Sequence, residues 1–434
     1  MEDESDLTGA TPRRRPKPDV LEIGGRRLRP STLMMGHGFD PALSEGSLKP
    51  PIFLTSTFVF ENAAAGKRHF EGVTGKRPGG AEGLIYSRFN GPNQEILEDR
   101  LSVWEDAEDA LTFSSGMSAI ATLLLTFVQP GDVIVHSGPL YAATETLIGR
   151  ILGRFGISWL DFASGATREE IEEVMARARA QGRVSLIYLE SPANPTNALV
   201  DVEAVAAARD ALFGDQRPPI AIDNTFLGPL WSKPLEHGAD LSIYSLTKYA
   251  GGHSDLVAGA VVGAKALIDP IRMMRNTIGT ITDPHSAWML LRSLETLELR
   301  MTRAGENAAK ICAFFRGHPK VESVGYLGFL DEGSRQADIF RRHCTGAGST
   351  FSLYLNGGET EAFAFLDSLR IAHLAVSLGG TETLASAPAA MTHLSVPDAR
   401  KQALGITDNL VRISIGVEDP DDLIADFDQA LEAI

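Results

Sequence analysis

A lysine stands where an apolar stretch ends: Asp240-Leu241-Ser242-Ile243-Tyr244-Ser245-Leu246-Thr247-Lys248-Tyr249 runs into Gly251-Gly252-His253. Leu241 and Ile243 among small polar residues read as a buried strand, and the hydroxyls and glycines after them as its exit. An ammonium at the mouth of such a strand costs desolvation. A use that offsets the cost is a Schiff base, in which a desolvated amine attacks a carbonyl. The plain alternative is a surface lysine past a strand end. Ser114-Ser115-Gly116-Met117-Ser118 opens a helical pattern, and the free amides of a helix start, with a glycine for close approach, suit an anion. Tyr141, Asn194 and Asp223 each have an ordinary use as a capping aromatic, a turn residue before proline and a helix cap. Arg412 lies in an apolar alternating segment and needs an anionic partner, either a structural carboxylate or a substrate's.

These residues fall at regular places in an alternating pattern. Ala110-Leu111-Thr112-Phe113, Asp132–Val135, Val184–Leu189, Pro219–Ile222 and the segment before Ser245 read as strands. Helical spacing covers 93–107, the stretch after Ser115 to Phe127, 168–181 and 202–212. The alternation marks an α/β fold with a mostly parallel sheet wrapped by helices, whose ligands lie beyond the carboxyl ends of the strands. Ser115, Tyr141, Asn194, Asp223, Ser245, Thr247 and Lys248 all map to that edge. From residue 286 a long amphipathic helix (Trp288 to Leu299) is expected, then shorter elements including 349–355, 361–369, Val376–Gly380 and Leu410–Gly416, which read as a smaller α+β domain. The expected divisions are a disordered arm (1–30, with Arg13–Pro18), an N-terminal extended clamp (31–85, with a loop at 66–83), a large domain (86–285) and a small domain (286–434).

With 434 residues, 44% apolar and 22% charged, the chain has the composition of a globular protein. A net charge of −16 argues against nucleic acid and anionic membranes as partners. Two cysteines, the absence of metal-spaced ligands and the absence of a transmembrane-length apolar run lead to the expectation of a cytoplasmic protein without a resident metal.

The edge supplies the parts of a pyridoxal 5′-phosphate site. Lys248 is the amine, Asp223 the pyridinium partner and Tyr141 the stacking ring. The Gly116 and Met117 amides with the Ser245 and Thr247 hydroxyls make the phosphate cup. An aldolase-type lysine would leave the aspartate and the cup unexplained.

In order along the chain, Ser114–Ala119, Pro139-Leu140-Tyr141, Glu190-Ser191-Pro192-Ala193-Asn194-Pro195, Asp223-Asn224-Thr225, Ser245–Tyr249, Val376–Gly380 and Arg412–Glu418 resemble the Cys/Met-metabolism (trans-sulfuration) branch of fold-type I pyridoxal-phosphate enzymes. The resemblance runs from about residue 31 to the C-terminus. It implies a homotetramer built from catalytic dimers, in which Tyr86 and Arg88 reach the neighbouring subunit's phosphate. It further implies Asn194 beside the cofactor's 3′-oxygen, Ser377 and Arg412 on an amino-acid substrate, Lys248 as proton shuttle and Tyr141 as proton donor to the leaving group. Two positions divide the possible reactions. Val376 stands where cystathionine-using relatives usually carry a glutamate, which favours a substrate without a distal ammonium. Ala143 stands where methionine γ-lyases usually carry a cysteine, and the stretch after Arg272 is shorter than theirs. The expected activity is γ-elimination on methionine or a related sulfur amino acid, with γ-replacement on an O-acylhomoserine as the alternative. A non-catalytic binding protein would have no need of Lys248, Tyr141 and Arg412 together. The 66–83 loop is expected to shape substrate access, since it adjoins Tyr86 and Arg88.

Overall fold

The computed structural model describes residues 21–77, 83–394 and 396–434. Its larger sheet has seven strands: β1 (Asp109–Phe113), β2 (Val133–Gly138), β3 (Ser158–Ala163), β4 (Val184–Glu190), β5 (Ile220–Asp223), β6 (Leu241–Ser245) and β7 (Gly259–Gly263). Their spatial order is β1-β7-β6-β5-β4-β2-β3, with parallel pairing from β6 through β3. Strand β7 runs antiparallel to both of its neighbours.

Strands β2 and β4 are buried at every position, as strands covered on both faces must be. The period of two sends Ile134, Leu186, Tyr188 and Ala221 to one face, against helices Gly116–Phe127 and Lys265–Ile278. Val133, Val135, Ile187 and Ile222 face the other way, against helices Arg168–Gln181 and Val202–Phe213. Strands β3 and β7 have no counterpart in the sequence reading. The first is a half-exposed edge, and the second is bounded by glycines because a Cβ at Gly259 would lie 2.3 Å from the Ser115 carbonyl.

A second sheet has five strands, β8 (Val321–Gly325), β9 (Thr350–Leu355), β10 (His373–Leu374), β11 (Leu384–Ser386) and β12 (Leu410–Ser414), ordered β8-β9-β12-β11-β10. Helices Leu297–Phe315, Glu359–Asp367 and Pro420–Leu431 close over it with Ile311, Phe315, Phe365 and Phe427. Among the described residues no helix is long and apolar enough to cross a membrane.

Four local expectations are corrected. The expected arm lies outside the described residues up to residue 20, including Arg13–Pro18, but residues 21–30 are ordered. Glu22–Ile23 and Arg26–Arg27 pair across Gly24 and Gly25, both with positive φ as a two-residue hairpin turn requires, and Leu21 and Leu28 pack on the core. Much of the expected loop at 66–83 is helix, Ala63–Val73, capped by the Asn62 side chain. Glycine is required at 66 because a Cβ would lie 2.9 Å from the Phe60 ring. The expected long helix from 286 is two, Pro284–Leu294 and Leu297–Phe315, because the Thr296 amide and hydroxyl both turn back to the Ser293 carbonyl. Val376–Gly380 forms neither helix nor strand, since Ser377 and Gly379 take positive φ.

Candidate active site

Strands β4, β5 and β6 end at Glu190, Asp223 and Ser245, and Glu190 and Asp223 lie in register on adjacent parallel strands. Just beyond these ends is a cavity of about 310 Å³. It is lined by Ser115, Gly116, Met117, Tyr141, Asn194, Asp223, Ser245, Thr247, Lys248, Ser377 and Arg412, so the sheet and the β12 strand of the second sheet bring these expected residues together.

Each side chain is held by a local device. The Ser115 hydroxyl accepts from the Ser118 amide at 2.9 Å and the Ser118 hydroxyl accepts from the Ser115 amide at 2.8 Å. That reciprocal cap leaves the Gly116 and Met117 amides, at the first two helical positions, without an intrahelical acceptor. A Cβ at Gly116 would sit 3.1 Å from Ser245, so strand end and helix start are in contact. Thr225 accepts from the Ser245 amide at 2.9 Å, while its own amide donates to Asp223 Oδ1 at 3.0 Å. The Thr247 hydroxyl bonds the Ala258 backbone, which pins the turn that carries Lys248. Glu190 accepts from the Tyr141 amide at 2.6 Å and the Asn194 amide at 3.0 Å.

Lys248 Nζ donates to Ser377 Oγ at 2.7 Å. Ser377 has φ of 98°, a left-handed backbone that costs a non-glycine residue energy and here delivers both its hydroxyl and its carbonyl to the cavity. The carbonyl accepts from Arg412 Nη2 at 2.8 Å, and Asn194 Oδ1 accepts from Nη1 at 3.2 Å. Arg412 Nε is buried without a partner, and the guanidinium forms no ion pair among the described residues. Burial lowers its pKa to about 10.

The charges are poised by burial. Desolvation, then the Arg412 charge, pulls the Lys248 pKa down to about 8, and Asp223 opposes that pull. Burial pushes the Asp223 carboxyl up, against hydrogen bonds from Thr225 and the Lys248 charge. Glu190 is pushed up by burial and then by the neighbouring Asp223. Glu190, Thr225, Val257 and Thr392 also line the cavity and were not among the expected site residues. Glu190 was visible only as part of a turn motif. What marks it is its register beside Asp223, which no sequence spacing displays.

Tyr86 and Arg88 do not line this cavity. Arg88 donates to the Asn276 carbonyl and lies 4.8 Å over the Phe89 ring, while Tyr86 is half exposed.

A family model described as Cys/Met metabolism PLP-dependent enzyme matches residues 31–432. An L-methionine gamma-lyase of Fusobacterium nucleatum subsp. polymorphum is 37% identical over 391 residues, 90% of this chain and 94% of that one. A cystathionine gamma-lyase of Bacillus subtilis (strain 168) is 35% identical over 410 residues, 94% of this chain and 100% of that one. The crystal structure of cystathionine gamma synthase from Xanthomonas oryzae pv. oryzae, in complex with aminoacrylate and cysteine, matches with a TM-score of 0.83 and 32% identity over 94% of this chain and 99% of that one.

Proposed function

The chain belongs to the Cys/Met-metabolism family of PLP-dependent enzymes, and we propose that within it this protein eliminates the γ-substituent of methionine or a related sulfur amino acid, releasing a 2-oxo acid, ammonia and a thiol. The observation that carries the reading is Arg412: a buried guanidinium with no anionic partner among the described residues, in the same cavity as an amine and a buried carboxylate.

The residues fit PLP. Two free first-turn amides stand beside the hydroxyls of Ser245 and Thr247, where a phosphate would be held. Asp223 is a buried carboxylate suited to a protonated ring nitrogen, and Asn194, which lines the same cavity, would serve the 3′-oxygen. Tyr141 offers its ring to the cofactor's face. When bound, PLP condenses with an amino group and withdraws electron density from the carbon attached to it.

Arg412 binds the substrate carboxylate through its free donors, with Ser377 beside it fixing the orientation. Lys248 anchors the cofactor and then moves a proton at the substrate's α-carbon, a role suited to an amine whose pKa lies at about 8. Tyr141 delivers a proton to the departing sulfur. Val376 lines the cavity and gives it an apolar wall, which favours a thioether over a distal ammonium. Ala143, standing where methionine γ-lyases usually carry a cysteine, favours the second reading, γ-replacement on an O-acylhomoserine.

The half-exposed Tyr86 and the Arg88 outside the cavity support a role for both at the phosphate of a neighbouring subunit, within a homotetramer built from catalytic dimers. The outward-facing Leu48, Leu54 and Val59 support an assembly that covers the N-terminal segment.

Purified protein supplied with PLP and L-methionine alone is expected to release 2-oxobutanoate and a thiol. Turnover only with an O-acylhomoserine plus a thiol would move the assignment to replacement. Lys248→Ala is expected to remove both turnover and the bound cofactor's long-wavelength absorbance; an unchanged spectrum would overturn the site.

A further inference from the structure

Away from that cavity, three ligand-type side chains converge from three elements. Glu203 opens helix Val202–Phe213, His237 closes the short turn Pro234–His237, and His343 ends helix Arg335–His343. One ligand atom from each lies within 4.8 Å of the others, and the two imidazoles stack with centroids 4.4 Å apart. None of the three lines the catalytic cavity.

The hydrogen bonds fix the roles of the two imidazoles. Arg342 Nη1 lies 3.1 Å from His343 Nε2, and a guanidinium can only donate, so Nε2 presents a lone pair. That lone pair faces Asp201 and Glu203 carboxylate oxygens, each 3.8 Å away. His237 Nδ1 stands 3.1 Å from Glu203 Oε1, and a carboxylate can only accept, so this nitrogen carries a proton that a metal bound there replaces. Without a metal, the positive charge amid these carboxylates comes from Arg342, which bonds Asp201 at 2.8 Å and also contacts Glu203.

We propose that Glu203, His237 and His343 form a binding site for a borderline divalent metal such as zinc or cobalt, with Asp201 available as a fourth ligand and the Arg342 side chain as the cation that the metal displaces. Two imidazoles and carboxylate oxygens are a donor set that zinc accepts in tetrahedral geometry. Half-exposed Glu203 and Arg342 give the ion a route from solvent. Because the ligands come from three elements, the ion pins helix Arg335–His343 to the larger sheet's helical layer. That helix already carries Gln336, whose amide bonds both the amide and the carbonyl of Leu199, at 2.7 and 2.9 Å. Binding is therefore expected to raise the unfolding temperature through linkage.

The test uses the untagged, PLP-loaded protein titrated with cobalt(II). The expected result is a set of visible ligand-field bands saturating at one ion per chain, displaced by zinc, with a higher unfolding temperature. His343→Gln and the more exposed His237→Gln should each weaken binding on the order of tenfold or more. The cofactor's own absorbance serves as the control for folding. Arg342→Gln should tighten binding, because the competing cation is gone. Absence of the bands, or bands unchanged in both histidine variants, would overturn the site, and weaker binding in Arg342→Gln would overturn the displacement.

Discussion

Of the four arginines buried among the described residues, Arg275 and Arg412 make the sharpest contrast. Arg275 is paired: its Nη1 meets Glu98 Oε1 at 2.5 Å and the Thr112 carbonyl at 2.9 Å, and Nη2 meets the Phe89 carbonyl at 3.1 Å. Glu98 is tied in turn to the amide and hydroxyl of Thr112. Arg412 is as deeply buried, yet its partners are neutral oxygens of Asn194 and Ser377. A buried ion pair completes itself within the fold. A buried charge without its counter-ion is stable only in a site that another molecule completes. The first arrangement holds helix Pro92–Trp104, strand β1 and helix Lys265–Ile278 together, and in the proposed function the second receives the substrate's carboxylate.

The largest effect that would break this contrast lies in stability. Arg275→Ala takes from buried Glu98 the closer of its two arginine partners, leaving Arg272 at 3.5 Å, and is expected to cost about 3 kcal/mol in urea unfolding. Arg412→Met, which strands no carboxylate, should cost about 1 kcal/mol or less; an equal loss in both variants would erase the distinction. In kinetics the order reverses, with Arg412→Met lowering kcat/KM on the order of 10²–10³-fold, mainly through KM. A smaller effect concerns substrate choice: Val376→Glu, at a largely exposed position, should shift relative kcat/KM roughly tenfold toward a substrate with a distal ammonium. The smallest is in pH. In its proposed role only neutral Lys248 would attack the cofactor's aldehyde, so with its pKa at about 8 the rate of PLP loading into apoprotein should rise about fivefold from pH 7 to 8 and level off above that. Arg412→Met removes a charge that disfavours the ammonium, so the levelling-off should move to higher pH. A loading rate indifferent to that substitution would mean that the two cations do not feel each other.

The candidate site was legible where chemistry and chain punctuation coincide. Lys248, Asp223 and Gly116 stand at strand exits, and a hydroxyl, a carboxylate or a glycine at such an exit is conspicuous against the apolar run before it. Glu190 was not legible as part of the site, because its importance comes from register with Asp223 on a neighbouring strand. Thr392 was missed because its segment has no period. The helix at Ala63–Val73 was missed because Gly66 and Gly72 read as loop until the Phe60 ring is seen to require Gly66.

The amino-acid sequence by itself determined the alternating fold, the edge on which the chemistry collects, and the types of groups found there. These follow from periodicity and from chain-local turns, which act over a few residues. Tertiary structure alone decided which charges are paired. Among the described residues it gave Arg275 a carboxylate, left Arg412 without one, lowered the Lys248 pKa by burial and then by Arg412, and drew Glu203, His237 and His343 into one cluster. Desolvation and Coulomb interactions depend on distance and burial, and neither is set until strands and helices far apart in the chain have packed.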